Sequence, residues 1–174
     1  LGMSKAGIFK YYKNKQELFI AVVDKFWFST QNPRNKFTET NGTFAEFIDE
    51  YVRGVQRTMD MLGDLIGAER EKVAQGKFTY HAQYFHFLFQ LLQYDPDAKE
   101  KLRNLVEVDY AYWRAAIQRA IATGELREDV DVEDAVVMFR QVYMGLSFEM
   151  AFMGGLNTQR LAKHLHAVYS LLKR

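Results

Sequence analysis

The residues best suited to a chemical task lie at the start of the chain, where positive charge is concentrated. Residues 1–36 contain seven Lys or Arg side chains against two acids, whereas the whole 174-residue chain has a net charge of only +1. Ser4 can cap a short helix. Asn14 and Glu17 form a capping box, which predicts that a second helix begins at Lys15. A helix, a turn and a second helix that carry positive charge suit the major groove of DNA.

The short helix has one face of small and basic residues. Relative to Ile8, the residues that face away are Ala6, Gly7 and Lys10. Small side chains allow a helix to approach base edges closely, and a lysine can bind guanine there. The alternative interpretation is a solvated basic helix start, since most charge clusters on protein surfaces have no specific partner.

The run from Gly2 to Leu18 resembles the signature of the TetR family of bacterial transcriptional regulators. That signature is a Gly-Val-Ser turn, a short recognition helix, an aromatic pair and Lys-x-Glu-Leu. This chain has Gly2-Met3-Ser4, then Tyr11-Tyr12, then Lys15-Gln16-Glu17-Leu18. The family usually has Tyr where this chain has Phe9, which removes a hydroxyl that contacts phosphate. The family's first two helices would precede Leu1, so the resemblance implies a DNA-binding domain without its start.

The resemblance also implies roles for individual residues. Ser4 and Lys15 would bind phosphate at helix N-termini, and Lys5 and Lys13 would add salt-dependent attraction. The implied DNA-binding residues are Ser4, Lys5, Ala6, Gly7, Phe9, Lys10, Lys13 and Lys15.

Helical periodicity and capping residues continue along the chain, which predicts an all-α fold. We expect residues 1–30 to hold part of a helix-turn-helix domain and the connecting helix, and residues 31–174 to form a regulatory helical bundle. The later helices are expected to begin at Thr43, Pro96, Asp131 and Asn157, with an uncharged helix over Phe78–Tyr94 and a shorter one over Gly63–Gly76.

The uncharged helix carries a polar stripe of Thr79, Gln83, His86, Gln90 and Gln93. Such a stripe either faces a ligand cavity or lies under a neighbouring helix. Asp109 lies on an apolar helix face near Trp113, and a buried carboxylate requires a partner. Arg57 or Arg140 could pair with it, or it could contact a ligand. The candidate effector-binding residues are Tyr84, Gln90, Asp109, Trp113 and Phe148.

The helix over Ala135–Met153 is apolar on two faces, which predicts packing on the core and on a second subunit. We expect a homodimer through residues 131–173, with Gly145 at a close helix crossing.

Other functions find little support in the sequence. There is no cysteine, the four histidines lack metal-ligand spacing, and no catalytic motif or cofactor-binding loop is apparent. Neither a signal peptide nor a membrane span is predicted, so a cytoplasmic protein is expected. The favoured hypothesis is a non-enzymatic repressor, released from a palindromic operator by a small, partly apolar effector. The alternatives are an α-helical ligand carrier or enzyme, and a dimeric scaffold without an effector.

Overall fold

The computed structural model describes residues 10–37, 42–65 and 80–174, and it confirms the predicted all-α fold class. Within these ranges the only β pairing is an isolated bridge between Leu126 and Lys173. No described helix is long and apolar enough to cross a membrane. The longer helices of the described ranges are α1 (Lys15–Val22), α2 (Phe44–Leu65), α3 (Tyr80–Tyr94), α4 (Ala98–Ala122), α5 (Val132–Ala151) and α6 (Thr158–Leu172).

Capping side chains begin several of these helices, as the sequence predicts. The Thr43 hydroxyl accepts from the Glu46 N–H at 3.2 Å, and Glu46 accepts from the Thr43 N–H at 2.8 Å. Asp131 and Asn157 each accept from the N–H three residues later, at 2.9 Å. Gly124, just after α4, has a φ of 76°, a left-handed conformation that glycine adopts without strain.

The starts of α1 and α4 differ in detail from the sequence prediction. Asn14 caps α1, but Glu17 accepts from the Lys13 N–H rather than from that of Asn14. Asp95 does not cap α4, because its carboxylate accepts from the Asp97 N–H in a turn that precedes the helix. The described residues stop at residue 65, where α2 ends, so the rest of the helix expected over Gly63–Gly76 lies outside them.

The main core is aromatic and lies between α2, α4, α5 and α6. Trp113 is fully buried at its centre, with its ring stacked on Phe139 at 4.9 Å and edge-on to Tyr51 at 4.8 Å. Aromatic contacts of this kind stabilise a core beyond the area that they bury. This core fixes the relative positions of the helices that carry the candidate site.

A second, smaller cluster joins α1 to α3 and α4. The predicted helix from Lys15 continues past Val22 through a π-helical turn, Val23–Trp27, and a last α-helical turn, Phe28–Thr30. Val23 and Trp27 are both buried, against Leu91 of α3 and Ala98 of α4. The π-helical turn therefore lies where α1 meets the rest of the bundle.

Candidate effector site

The buried carboxylate of Asp109, in the middle of α4, is paired with Arg140 of α5. Arg140 Nε lies 3.0 Å from Asp109 Oδ2, and the two side chains are 14% and 6% exposed. Of the two cations considered from the sequence, Arg140 is therefore the partner, whereas Arg57 contacts Glu50 at 3.7 Å. The Arg140 guanidinium also lies 5.6 Å from the centre of the Tyr110 ring.

Further polar side chains surround this ion pair. Lys36, in the connection before α2, is buried, and its Nζ lies 4.9 Å from the centre of the Tyr143 ring. The Tyr143 ring is in turn edge-on to Tyr51 of α2 at 5.9 Å. We refer to Lys36, Tyr51, Asp109, Arg140 and Tyr143 as the polar centre.

Several atoms in and around the polar centre lack a hydrogen-bond partner in the described part of the chain. They are Asp109 Oδ1, Arg140 Nε, the Tyr51 hydroxyl, the Trp113 indole nitrogen and the Ser147 hydroxyl. Almost all buried polar atoms in folded proteins have a partner. Five such atoms within one group of helices therefore provide hydrogen-bonding capacity for a ligand.

Burial changes the ionisation of the polar centre. Loss of solvent raises the pKa of Asp109, and the positive charges of Lys36 and Arg140 offset this only in part. Burial also raises the pKa of Tyr51 well above its ordinary value, with a further contribution from the Asp109 charge. The Tyr51 hydroxyl therefore stays protonated at neutral pH and remains available as a hydrogen-bond donor.

Tyr84 of α3 lies between the polar centre and α1. Its ring is stacked on Trp27 at 5.7 Å and edge-on to Phe85 at 5.1 Å. Burial raises the pKa of Tyr84, and neighbouring Tyr143 raises it further. Tyr84 thus lies near the polar centre and stacks on the π-helical turn that continues α1.

The other two candidate effector residues lie farther from Asp109. Phe148 is 48% exposed and reaches Tyr84 only through the Phe85 ring, which it contacts at 5.2 Å. Gln90 is half-buried, and no described contact joins it to the polar centre. The other described residues of the polar stripe, His86 and Gln93, are exposed. His86 and Gln93 lie at the surface of the chain, because the buried side of α3 carries Leu91, which packs against Val23 and Trp27.

Sequence analysis missed three members of the polar centre. Tyr51 and Tyr143 have the spacing of ordinary core residues, and nothing in the sequence shows that their rings meet. Lys36 lies in a polar connection and carries no helical pattern. Its burial follows from Gly54, where an added Cβ would collide with the Lys36 carbonyl. A glycine in the middle of an amphipathic helix was the available signal for this close approach.

A family model described as tetracyclin repressor-like, C-terminal domain, matches residues 55–165. The match spans about two thirds of the chain and includes Asp109, Trp113 and Arg140. The chain belongs to the TetR family. Neither a curated protein nor a solved structure matches it. Membership points to a regulator and not to an enzyme, and the described residues contain no cluster of His, Asp or Glu that could hold a metal ion.

The TetR match does not include the residues that the resemblance assigns to DNA binding. Ser4, Lys5, Ala6, Gly7 and Phe9 lie outside the described residues. Lys10, Lys13 and Lys15 are exposed at the start of α1. Lys13 Nζ lies 4.0 Å from Glu17, while Lys10 and Lys15 form no ion pair in the described structure. These exposed amines are therefore free to contact an anionic partner.

The predicted dimer face of this TetR-family chain is apolar and uncovered in the single chain. A shallow groove of about 350 Å³ runs between α5 and α6 and is lined by Val142, Gly145, Leu146 and Val168, among others. At its edge Leu171 is 67% exposed. An added Cβ at Gly145 would meet no atom within 4 Å, so the groove remains open along the helix.

Proposed function

We propose that the chain is a ligand-responsive transcriptional repressor that leaves a palindromic operator when a small, partly apolar effector binds beside Asp109. Membership of the TetR family supports a regulator of this kind. The observation that carries the proposal is the polar centre with its unpaired buried atoms. Nearby Tyr84 stacks on Trp27, in the π-helical turn that continues α1.

Three contacts would transmit the effect of a ligand to the DNA-binding end. Trp27 stacks on Tyr84, the Gln16 amide donates to the Tyr94 carbonyl at 2.6 Å, and Lys101 lies 2.7 Å from Asp24. A ligand that moves Tyr84 would therefore shift α1. In a dimer this shift would change the separation of two recognition helices that must fit half-sites about 34–36 Å apart.

Operator binding tests the proposal directly. The natural chain, with whatever its gene encodes before Leu1, should bind operator DNA with an affinity that falls as salt rises, measured by fluorescence anisotropy. Lys15→Ala should weaken binding to all sequences and lower the salt slope by about one, while Lys10→Ala should relax sequence preference. Lys99→Ala, at an exposed lysine of α4, is the matched control. Unchanged affinity and slope in both variants would contradict the DNA-binding assignment.

The dimer is tested by sedimentation. Leu171→Glu places a charge in the exposed apolar groove and should shift the chain towards monomer, whereas Val108→Glu, at an exposed valine of α4, should not. A chain that is monomeric at micromolar concentration would contradict assembly through residues 131–173.

A further inference from the structure

Lys36 is a buried cation that forms no ion pair with a described residue. The residue is only 7% exposed, and no carboxylate in the described part of the chain lies within 4 Å of its amine. Its contact is with the face of the Tyr143 ring, 4.9 Å from the ring centre to Nζ. Most lysines reach water unless they are paired, because burial of a charge is costly.

The position of Lys36 is set by the backbone. Gly54 of α2 packs against the Lys36 carbonyl, and Phe37, the next residue, stacks on Tyr112 at 4.6 Å. Phe37 also contacts Tyr51 at 5.0 Å. Because both sides of Lys36 are fixed, its burial belongs to the fold and is not a chance orientation of a surface side chain.

The charges around Lys36 do not balance. Asp109 is the acid that interacts with it, but Asp109 already forms an ion pair with Arg140. The polar centre therefore contains two cations and one carboxylate. One further negative charge would neutralise it.

The unpaired hydrogen-bonding groups favour the same kind of occupant. The Tyr51 hydroxyl is fully buried, has no partner among the described residues and can donate to an acceptor oxygen. The Tyr51 and Tyr143 rings, which meet edge-on at 5.9 Å, offer an apolar surface to which a hydrocarbon body could bind. An anionic head group with an apolar body would satisfy both the charges and the rings.

We propose that the effector is a small organic carboxylate with an aromatic or aliphatic body, held by Lys36, Tyr51 and Arg140. The carboxylate accepts hydrogen bonds from the Lys36 amine and the Tyr51 hydroxyl, and its charge balances the second cation. The apolar body lies against the tyrosine rings. This inference rests on the proposed function only in that it places the effector at the polar centre.

The experiment compares acids with their neutral amides on the 174-residue chain without DNA. Calorimetry and thermal shift measure the binding of three acids, each compared with its amide: phenylacetate, naphthylacetate and decanoate. At least one acid should bind at least tenfold more tightly than its amide. Lys36→Met should weaken the binding of that acid at least tenfold. Lys36→Arg should retain the preference for the acid over its amide, and Lys99→Met should leave the affinity for the acid unchanged.

The stability of the unliganded variant shows whether Lys36 has a structural role instead. Because the amine is an unpaired buried cation, Lys36→Met should melt at the same temperature as the parent chain or higher. If Lys36→Met melts at a lower temperature than the parent chain and Lys36→Arg melts at the parent temperature, Lys36 has a structural role and the proposal is contradicted. Amides that bind as well as the acids, or acids whose binding does not depend on Lys36, would overturn it. Lys36-dependent binding of an acid that fails to release operator DNA would instead count against the proposed function.

Discussion

Glu125 is a partly buried acid at one end of the helical bundle and Asp109 is a buried acid in the middle of α4, and the two differ in how their oxygens are paired. Glu125 accepts from the Phe44 N–H at 2.8 Å, from the Ala45 N–H at 3.3 Å and from the Tyr169 hydroxyl at 2.9 Å. Both of its carboxylate oxygens are used. Asp109 has one oxygen beside Arg140, and its other oxygen has no hydrogen-bond partner among the described residues.

This difference separates a structural acid from one that has capacity for a ligand. Glu125 caps the exposed N–H groups at the start of α2, where the helix dipole also favours negative charge. Burial raises the pKa of the Tyr169 phenol to about 12, and its hydrogen bond to Glu125 contributes to this rise. No buried polar side-chain atom of the described residues around Glu125 is without a partner, whereas the polar centre has both spare charge and spare donors.

The largest effect is expected from Arg140→Met, which leaves the Asp109 carboxylate without its ion pair. Breaking one partner of a buried pair costs about 3–5 kcal/mol in the free energy of unfolding. Burial already raises the pKa of Asp109, and loss of the guanidinium raises it further. When the pKa of a carboxyl group is higher in the folded than in the unfolded chain, the free energy of unfolding falls as the pH rises towards the pKa of the folded chain. Urea denaturation should therefore show a larger defect at pH 8 than at pH 5.

A second arginine provides the matched control for Arg140. Arg114 of α4 forms an ion pair with Glu133 of α5, and these side chains are 34% and 62% exposed. This pair joins the same two helices, but it lies at the surface. Because solvent screens an exposed ion pair, Arg114→Met should lower the free energy of unfolding far less than Arg140→Met does. Equal losses in the two variants would show that the burial of the Asp109 pair has no energetic consequence.

Glu125→Ala should have the next largest effect, because it removes both the cap of α2 and the partner of Tyr169. Loss of hydrogen bonds to a charged group predicts a decrease of about 2–3 kcal/mol in the free energy of unfolding. Glu128→Ala, at an exposed acid of the same connection, should change it by less than about 0.5 kcal/mol. Denaturation midpoints measure both variants. A loss in Glu125→Ala no greater than that of the control would contradict the capping role.

Lys101→Met tests a third acid, Asp95. As in Glu125, both carboxylate oxygens of Asp95 have hydrogen-bond partners. Lys101 lies 2.9 Å from Asp95 and 2.7 Å from Asp24, so it joins α4 to the π-helical turn that follows α1. The amine is partly exposed, and solvent screening limits the expected loss to about 1–2 kcal/mol. Amide hydrogens of α1 should exchange faster in Lys101→Met than in Lys99→Met. Unchanged exchange in α1 would show that this contact does not hold the helix.

The helices could be predicted from the sequence because their signals are local. Thr43, Asp131 and Asn157 each cap a helix through a hydrogen bond to a residue three positions later, which a single sequence reveals. The apolar spacing in α2 likewise indicates a core position for Tyr51, which is fully buried.

The candidate site was predicted only in part, because its contacts join residues that are distant in sequence. An apolar helix face indicated that Asp109 would be buried and would need a cation or a ligand as its partner, and Arg140 forms an ion pair with it. Lys36 was missed because its burial depends on the path of an irregular connection beside Gly54. The cap that Glu125 provides to α2 spans about eighty residues and has no sequence signal. Two residues of the polar stripe of α3, His86 and Gln93, are exposed, since an absence of charge does not show which side of a helix faces the core.

The smallest effect is expected from Gly145→Ala, which separates folding from assembly. An added Cβ at Gly145 meets no atom within 4 Å in the single chain. Alanine favours a helix interior by about 1 kcal/mol relative to glycine, so the monomer should become slightly more stable. If α5 and α6 pair with a second copy at a close crossing, the same methyl group lies between the two chains and should weaken the dimer. Sedimentation at several concentrations should show that the Gly145→Ala dimer dissociates more easily than that of the parent chain. Thermal melts should show that the melting temperature of its subunits is no lower. A dimer of unchanged affinity would place the helix crossing away from Gly145.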